Sequence, residues 1–292
     1  MHLLYITFGD NNKNHTQAYF SVYSFLAKDI KFSSVNIITD KPLYYKSIEN
    51  RVNIIKVDTK KLEEWKGVHG FFWRIKIKAI ELICESYPGE PVLYVDSDTF
   101  LYGNPNHLSA LFQRNKAAMF ENEGPLNSLK SKTMRTMTAQ LRGVEIDGIN
   151  NFGKLSMWNA GVVFTPNTRE QQEVKLALRI CDEMCRLKVK DQFVEQFALS
   201  VALQLCYGLE PSSHIIAHYW SNKEEWNDLI RAFFIENKMR NLSWEEELDH
   251  FRQINLLQYP VVKISKNTNA RLKRLIDKIF PDKKKAFLAP EE

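Results

Sequence analysis

No apolar run in this 292-residue chain approaches the roughly 20 residues needed to cross a bilayer. Residues 1–8 are too short for a secretory leader and carry no basic start, so the chain reads as cytoplasmic. Cysteine is scarce. Cys84, Cys181, Cys185 and Cys206 form no paired Cys-x-x-Cys pattern, which argues for reduced, mostly buried thiols over disulfides or zinc. Cys181 and Cys185 sit one helical turn apart, which does not by itself make a ligand set. Neither a GxGxxG nor a GxxxxGK[ST] stretch occurs, so the dinucleotide fingerprint and the P-loop are both missing.

The chain also lacks any broad excess of one charge. Its net charge is +5, but residues 261–285 alone hold nine Lys or Arg against Asp277 and Asp282, a local balance of +7. With Glu291 and Glu292 at the end, the first 260 residues are neutral. A neutral body with a basic tail argues against nucleic-acid binding and for an interaction near the end of the chain. Hydrophobic content of 44% and 26% charge are those of an ordinary globule with a sizeable core.

What is present centres on residues 91–100, PVLYVDSDTF. Val92, Leu93, Tyr94 and Val95 predict a central strand buried on both faces. At its carboxyl end the polarity switches to Asp96-Ser97-Asp98-Thr99, and open α/β sheets bind ligands beyond such ends. Two carboxylates this close repel unless a cation lies between them. A divalent metal with oxygen ligands, itself holding a phosphate, is the natural partner. The same residues can also form a plain solvated turn.

Around this stretch the chain alternates. Strands are predicted at residues 3–8, 34–39 and 51–57, with helices at 15–27 and 71–84 delivering the chain to the strand before Asp96. That alternation implies a parallel, doubly wound sheet and a nucleotide-binding half within residues 1–100. Beyond it, 105–113 reads as a helix and 117–120 as a strand. Residues 122–157 are weakly periodic and read as an irregular insertion. Strand character returns at 158–165, followed by helices at 169–189 and 191–206 and a short strand at 214–217. Residues 224–255 look helical, with Ser243 and Glu246 spaced as a capping box.

A strand ending Asp-x-Asp before Thr resembles the first motif of haloacid-dehalogenase-like phosphatases, in which Asp96 would be a nucleophile. It also resembles the metal motif of nucleotide-sugar glycosyltransferases with the GT-A fold. The phosphatase nucleophile follows the first strand of its domain, whereas Asp96 follows about three earlier ones. The order of five segments instead resembles the retaining, family 8 type of glycosyltransferase. These are the first strand with its loop into His15, Gln17 and Ala18; the helix with Arg74; VLYVDSDTF; WNAGVVF with Asn159-Ala160-Gly161; and Asp191-Gln192 with the later His218. The family's His-x-x-Gly-x-x-Lys-Pro-Trp becomes His218-Tyr-Trp-Ser221-Asn-Lys-Glu224-Glu225-Trp226. Lys223, one residue out of register, replaces the missing diphosphate lysine only if the loop shifts. A catalytically silent sugar- or nucleotide-binding module is the third reading.

The resemblance implies an α/β chain of GT-A type, with a mostly parallel sheet flanked by helices and a helical C-terminal extension. The catalytic domain would span 1–222 (nucleotide half 1–100, acceptor and sugar half 101–222), then an extension over 223–260 and a basic tail over 261–292. It implies a metal, Mn²⁺ or Mg²⁺, on Asp96, Asp98 and His218, and a UDP-sugar donor. Arg74 would hold the diphosphate through its planar fork. Asn159, Asp191 and Gln192 would line the sugar, with Asp191 bonding hydroxyls and Gln192 nearest the reacting carbon. Thr7, Asp10 and Gln17 are candidates for the nucleoside end. The acceptor would be a glycan or glycolipid. From Ala270 to Phe280, Leu272, Leu275, Ile276, Ile279 and Phe280 share a helical face flanked by basic residues. That pattern suits peripheral binding to an anionic membrane surface, or packing on the body.

Overall fold

The computed structural model describes residues 1–28, 30–189 and 193–262, together with residues 272, 275, 276 and 278–280. The first half follows the predicted alternation. Strand β1 (His2–Thr7) leads through an Asn11 cap into helix α1 (Asn12–Leu26), and β2 (Ser34–Thr39) precedes β3 (Asn53–Lys56). Helices α2 (Thr59–Lys66) and α3 (Arg74–Ser86) then lead to β4 (Val92–Val95), and β5 (Thr99–Leu101) lies just beyond the acidic motif. Helix α4 (Asn106–Gln113) and strand β6 (Ala117–Met119) follow.

Residues 122–157 depart from the expected irregular insertion. They hold strand β7 (Asn122–Pro125), helix α5 (Lys132–Gln140) and the start of β8 (Ser156–Trp158), which pairs antiparallel with β7. The periodicity is weak because α5 is only nine residues long and buries little beyond Met134 and Met137. The expected strand over 158–165 is two strands. Asn159-Ala160-Gly161 breaks it, and β9 (Val162–Thr165) begins after Gly161. Helices α6 (Gln172–Arg186) and α7 (Val194–Cys206), strands β10 (Leu209–Pro211) and β11 (Ile216–His218), and helices α8 (Lys223–Arg240) and α9 (Trp244–Gln253) complete the order. The stretch read as one helical region bends at Asn241, in the left-handed conformation, and the Ser243–Glu246 capping box starts α9.

The main sheet has the order β10-β6-β9-β4-β1-β2-β3. β9 runs antiparallel to both its neighbours, β4 and β6, while the other neighbouring strands pair parallel. Side-chain alternation divides the core between the two faces. Leu4 and Tyr94 pack with α3, α6 and α7, whereas Leu3, Tyr5, Leu93 and Val95 pack with α1 and α4. A third, aromatic cluster joins α1, β5 and β11 to α8 and α9 through Phe20, Tyr23, Phe100, Tyr219, Trp226 and Phe251. Trp226 is fully buried, stacked on Tyr219 and Phe100 with ring centroids 4.6 Å apart in each pair. Among the described residues, no helix is long and apolar enough to cross a membrane.

Candidate active site

The chain leaves β4 at Val95, and Asp96 to Asp98 lie at the carboxyl end of that strand. The Asp96 amide donates to the Gly161 carbonyl at 2.8 Å, tying the motif to the break between β8 and β9. Tyr219 N donates to the Asp98 carbonyl at 3.0 Å, and His218 pairs with Thr99 across β11 and β5. Three segments far apart in sequence therefore converge by backbone bonding alone.

Their side chains converge as well. Asp96, Asp98 and His218 each offer a ligand atom, all within 4.8 Å of one another. His218 Nε2 lies 3.4 Å from Asp98 Oδ2, and Lys223 Nζ lies 2.8 Å from the same oxygen. Asp98 Oδ2 is held by these two contacts, and His218 Nδ1 is buried without a hydrogen-bond partner. Burial would raise the Asp98 pKa, but the His218 imidazole and the Lys223 ammonium outweigh it and hold the carboxyl well below the usual range. One buried and one half-buried carboxylate, with an imidazole whose second nitrogen is unsatisfied, fit a divalent cation. The His218 ring packs so close to the chain that a Cβ on Gly161 would lie 2.2 Å from its Cε1. Glycine is required there by proximity, not by an unusual φ.

A cavity of ≈230 Å³ opens beside the acidic motif. Thr7, Asn14, Lys76, Asp96, Asp98 and Lys223 line it, with Phe72 and Trp73, each about half exposed, against it. Lys223 is the first residue of α8, where a cation gains nothing from the helix dipole. Its position is explained by Asp98.

The remaining expected residues are placed as follows. Thr7 Oγ1 bonds Tyr45 Oη at 2.8 Å beside the cavity. Gln17 is buried, donates to Asn227 Oδ1 at 2.8 Å and accepts from Ser97 Oγ at 3.5 Å. Asp10 is exposed and pairs with Lys41 at 2.5 Å. Asn159 Oδ1 accepts from Gly161 N at 2.9 Å, shaping the strand break. Arg74 turns away from the cavity: its fork spans both oxygens of Asp182 at 2.6 and 2.9 Å and donates to the Trp65 carbonyl. Asp191 and Gln192 lie outside the described residues.

Sequence reading missed Lys76. It is buried on α3, with Nζ 2.9 Å from Glu195 Oε1, 3.4 Å from Asp96 Oδ1 and 3.2 Å from the Ala160 carbonyl. Burial would lower its pKa, yet Asp96 and Glu195 outweigh burial and keep it firmly charged. Tyr94 Oη donates to Asp96 Oδ1 from the same side. The signal was available: Lys76 falls three to four residues before Ala79 and Ile80 and seven before Ile83, all buried on α3.

No family model and no curated protein matches the chain. Solved structures do. The glycosyltransferase GlyE of Streptococcus pneumoniae superposes over 86% of this chain and 62% of its own, with a TM-score of 0.50 and 12% identity. The fold is that of GT-A glycosyltransferases. This chain thus spans about three fifths of GlyE. Weaker likenesses are the galactosyltransferase LgtC with donor and acceptor sugar analogs (72% of each chain, TM-score 0.44, 12% identity) and mouse xyloside xylosyltransferase 1 (80% and 93%, TM-score 0.44, 12% identity). In this GT-A fold the Asp96–Asp98 motif ends the strand neighbouring β1, and the cavity lies above both strands.

Proposed function

We propose that the protein is a metal-assisted glycosyltransferase that moves a sugar from a nucleoside diphosphate, a UDP-sugar, to a glycan or glycolipid acceptor. The observation that carries this reading is the convergence of Asp96, Asp98 and His218 beside a cavity flanked by Lys76 and Lys223. Asp96, Asp98 and His218 would hold the cation, and an imidazole beside two carboxylates favours Mn²⁺ over Mg²⁺. When bound, the metal supplies Lewis-acid neutralisation of the charge that grows on the leaving diphosphate.

The chain's own residues supply the rest. Lys223 reaches the cavity on a long, half-exposed side chain, so it is free to leave Asp98 and meet a phosphate oxygen. Lys76 is fixed between Glu195 and Asp96 and contributes constant positive charge at the wall. Phe72 and Trp73 offer aromatic surface to a base at the mouth, and Thr7 and Asn14 offer polar contacts. Arg74 is committed to Asp182, so Lys223 takes the diphosphate role in this reading. Asp191 and Gln192 would face the sugar, with retention through same-face attack. The phosphatase alternative gains nothing here, because Asp96 is engaged by Tyr94 and Lys76 and is not poised as a free nucleophile.

A thermal-shift screen of nucleotide sugars with and without Mn²⁺ tests the reading. Metal-dependent stabilisation by one UDP-sugar is expected, and Asp98→Asn should abolish it. UDP binding that persists unchanged in EDTA would remove the metal from the proposal.

A further inference from the structure

A second cavity, ≈560 Å³, lies between α1, the 3-10 turn Pro42–Ile48, and helices α8 and α9. It shares no lining residue with the cavity at the acidic motif, and the two flank α1: Asn14 lines one, His15 and Thr16 the other. Its walls are aromatic. Tyr44 stacks on His15 with centroids 4.0 Å apart and stays 39% exposed, while Tyr19 meets Phe234 edge-on at 5.3 Å and Trp244 closes the far side.

The polar groups are few and placed. Asn237 is 1% exposed, its Oδ1 is 2.6 Å from His250 Nδ1, and its Nδ2 has no hydrogen-bond partner. That nitrogen is enclosed, so Asn237 fixes His250 behind the wall and is not itself open to a ligand. Glu247, which accepts from Tyr23 Oη, lines the same cavity and offers an acceptor. Of the described residues around it, Lys238 alone is a lysine or arginine, and it is exposed.

We infer that this cavity is a binding site for a neutral saccharide. Aromatic walls with a few fixed polar groups suit a small ligand that is apolar on its faces and polar at its edge. A sugar ring offers C–H faces to the aromatic rings, and its hydroxyls donate to Glu247. The Glu247 carboxylate opposes a phosphate-bearing ligand, which sets this site apart from the nucleotide cavity. Thr16, Phe234 and Lys238 also line a further depression that runs along α8 past Arg231 to Asn227. The site therefore takes one unit of an oligosaccharide whose next units extend along α8 towards Lys223. This inference goes beyond the transferase reading and stands without it, since binding here requires neither donor nor metal.

Saturation-transfer NMR on the full chain, without metal or nucleotide, tests it with lactose, maltotriose and chitotriose at about 1 mM, and with uridine as control. At least one saccharide should give a signal in the wild-type protein. Tyr44→Ala removes an exposed wall, and Ser47→Arg fills the cavity from an exposed position. Both should keep the wild-type thermal midpoint and weaken the saccharide signal about ten-fold. Absence of signal from all three saccharides, equal signal in both variants, or displacement of the saccharide by uridine would overturn the assignment.

Discussion

Gly161 and Lys76 carry much of the site's geometry at the scale of single residues. A methyl group at residue 161 would overlap the His218 ring, so Gly161→Ala must move His218 or the β8–β9 break. Overpacking of this kind costs about 1–3 kcal/mol. The expected outcome is weakened Mn²⁺ binding by calorimetry, out of proportion to a modest fall in stability. Lys76 separates two carboxylates, and Lys76→Met leaves Asp96 and Glu195 facing each other without a cation. Breaking a buried pair costs about 3–5 kcal/mol, which urea denaturation would read directly. If Lys76→Met is as stable as the wild type, the pairing contributes nothing to the fold. Asp96 and Asp98 were legible in the sequence because polarity switches abruptly after a buried strand. Lys76 was signalled only by its spacing with Ala79, Ile80 and Ile83, while Lys78, the same residue type on the same helix, has no such setting.

Among the elements, those with a clear apolar pattern were readable, including the short β4 and β6, while the weakly patterned ones within residues 122–157 were not. β2 was read with its observed bounds, and the Ser243–Glu246 capping box marked the start of α9. The hairpin and helix within residues 122–157 escaped because β7 (NEGP) is mostly exposed and polar and α5 buries only Met134 and Met137, so neither period shows. Helix α8 illustrates what the extension does. Trp226, one turn after Lys223, is held by Tyr219, Phe100 and a 3.1 Å bond from its indole nitrogen to the Pro260 carbonyl. Trp226→Ala should destabilise the protein by about 3–5 kcal/mol and loosen Lys223 with it. Denaturant midpoints should fall for Trp226→Ala and much less for Trp226→Phe; similar losses for both would make the indole bond, not the packing, the anchor.

For the molecule as a whole, the structure describes part of the apolar face of the tail but few of its charges. Of the predicted tail face, Leu272, Leu275, Ile276, Ile279 and Phe280 are all 48–74% exposed, and Phe280 N bonds the Ile276 carbonyl at 2.7 Å as in a helix. The other residues of 270–280, and Lys283 to Lys285, lie outside the described residues. Each basic residue near an anionic surface contributes on the order of 1 kcal/mol. If the tail lies on an anionic membrane surface, removing the chain after Asn269 should release the protein from anionic vesicles in a salt-sensitive manner; intact protein that ignores such vesicles would remove the membrane reading. Unfolding of the truncated protein in a thermal melt would mean that the tail is part of the body.

The backbone bond from Tyr219 to Asp98 has a consequence for how the protein is made. Asp98 emerges from the ribosome more than a hundred residues before His218 and Lys223, the two groups that compensate its buried charge. Until they arrive, burial of that carboxylate is uncompensated, so the acidic motif gains its partners only once β11 and α8 are in place. In the proposed metal-assisted reading, a cation that binds only this assembled cluster would stabilise the entire folded chain by mass action. Loading that cation late in folding would act as a latch on the whole molecule, joining β4, β11 and α8 at one point.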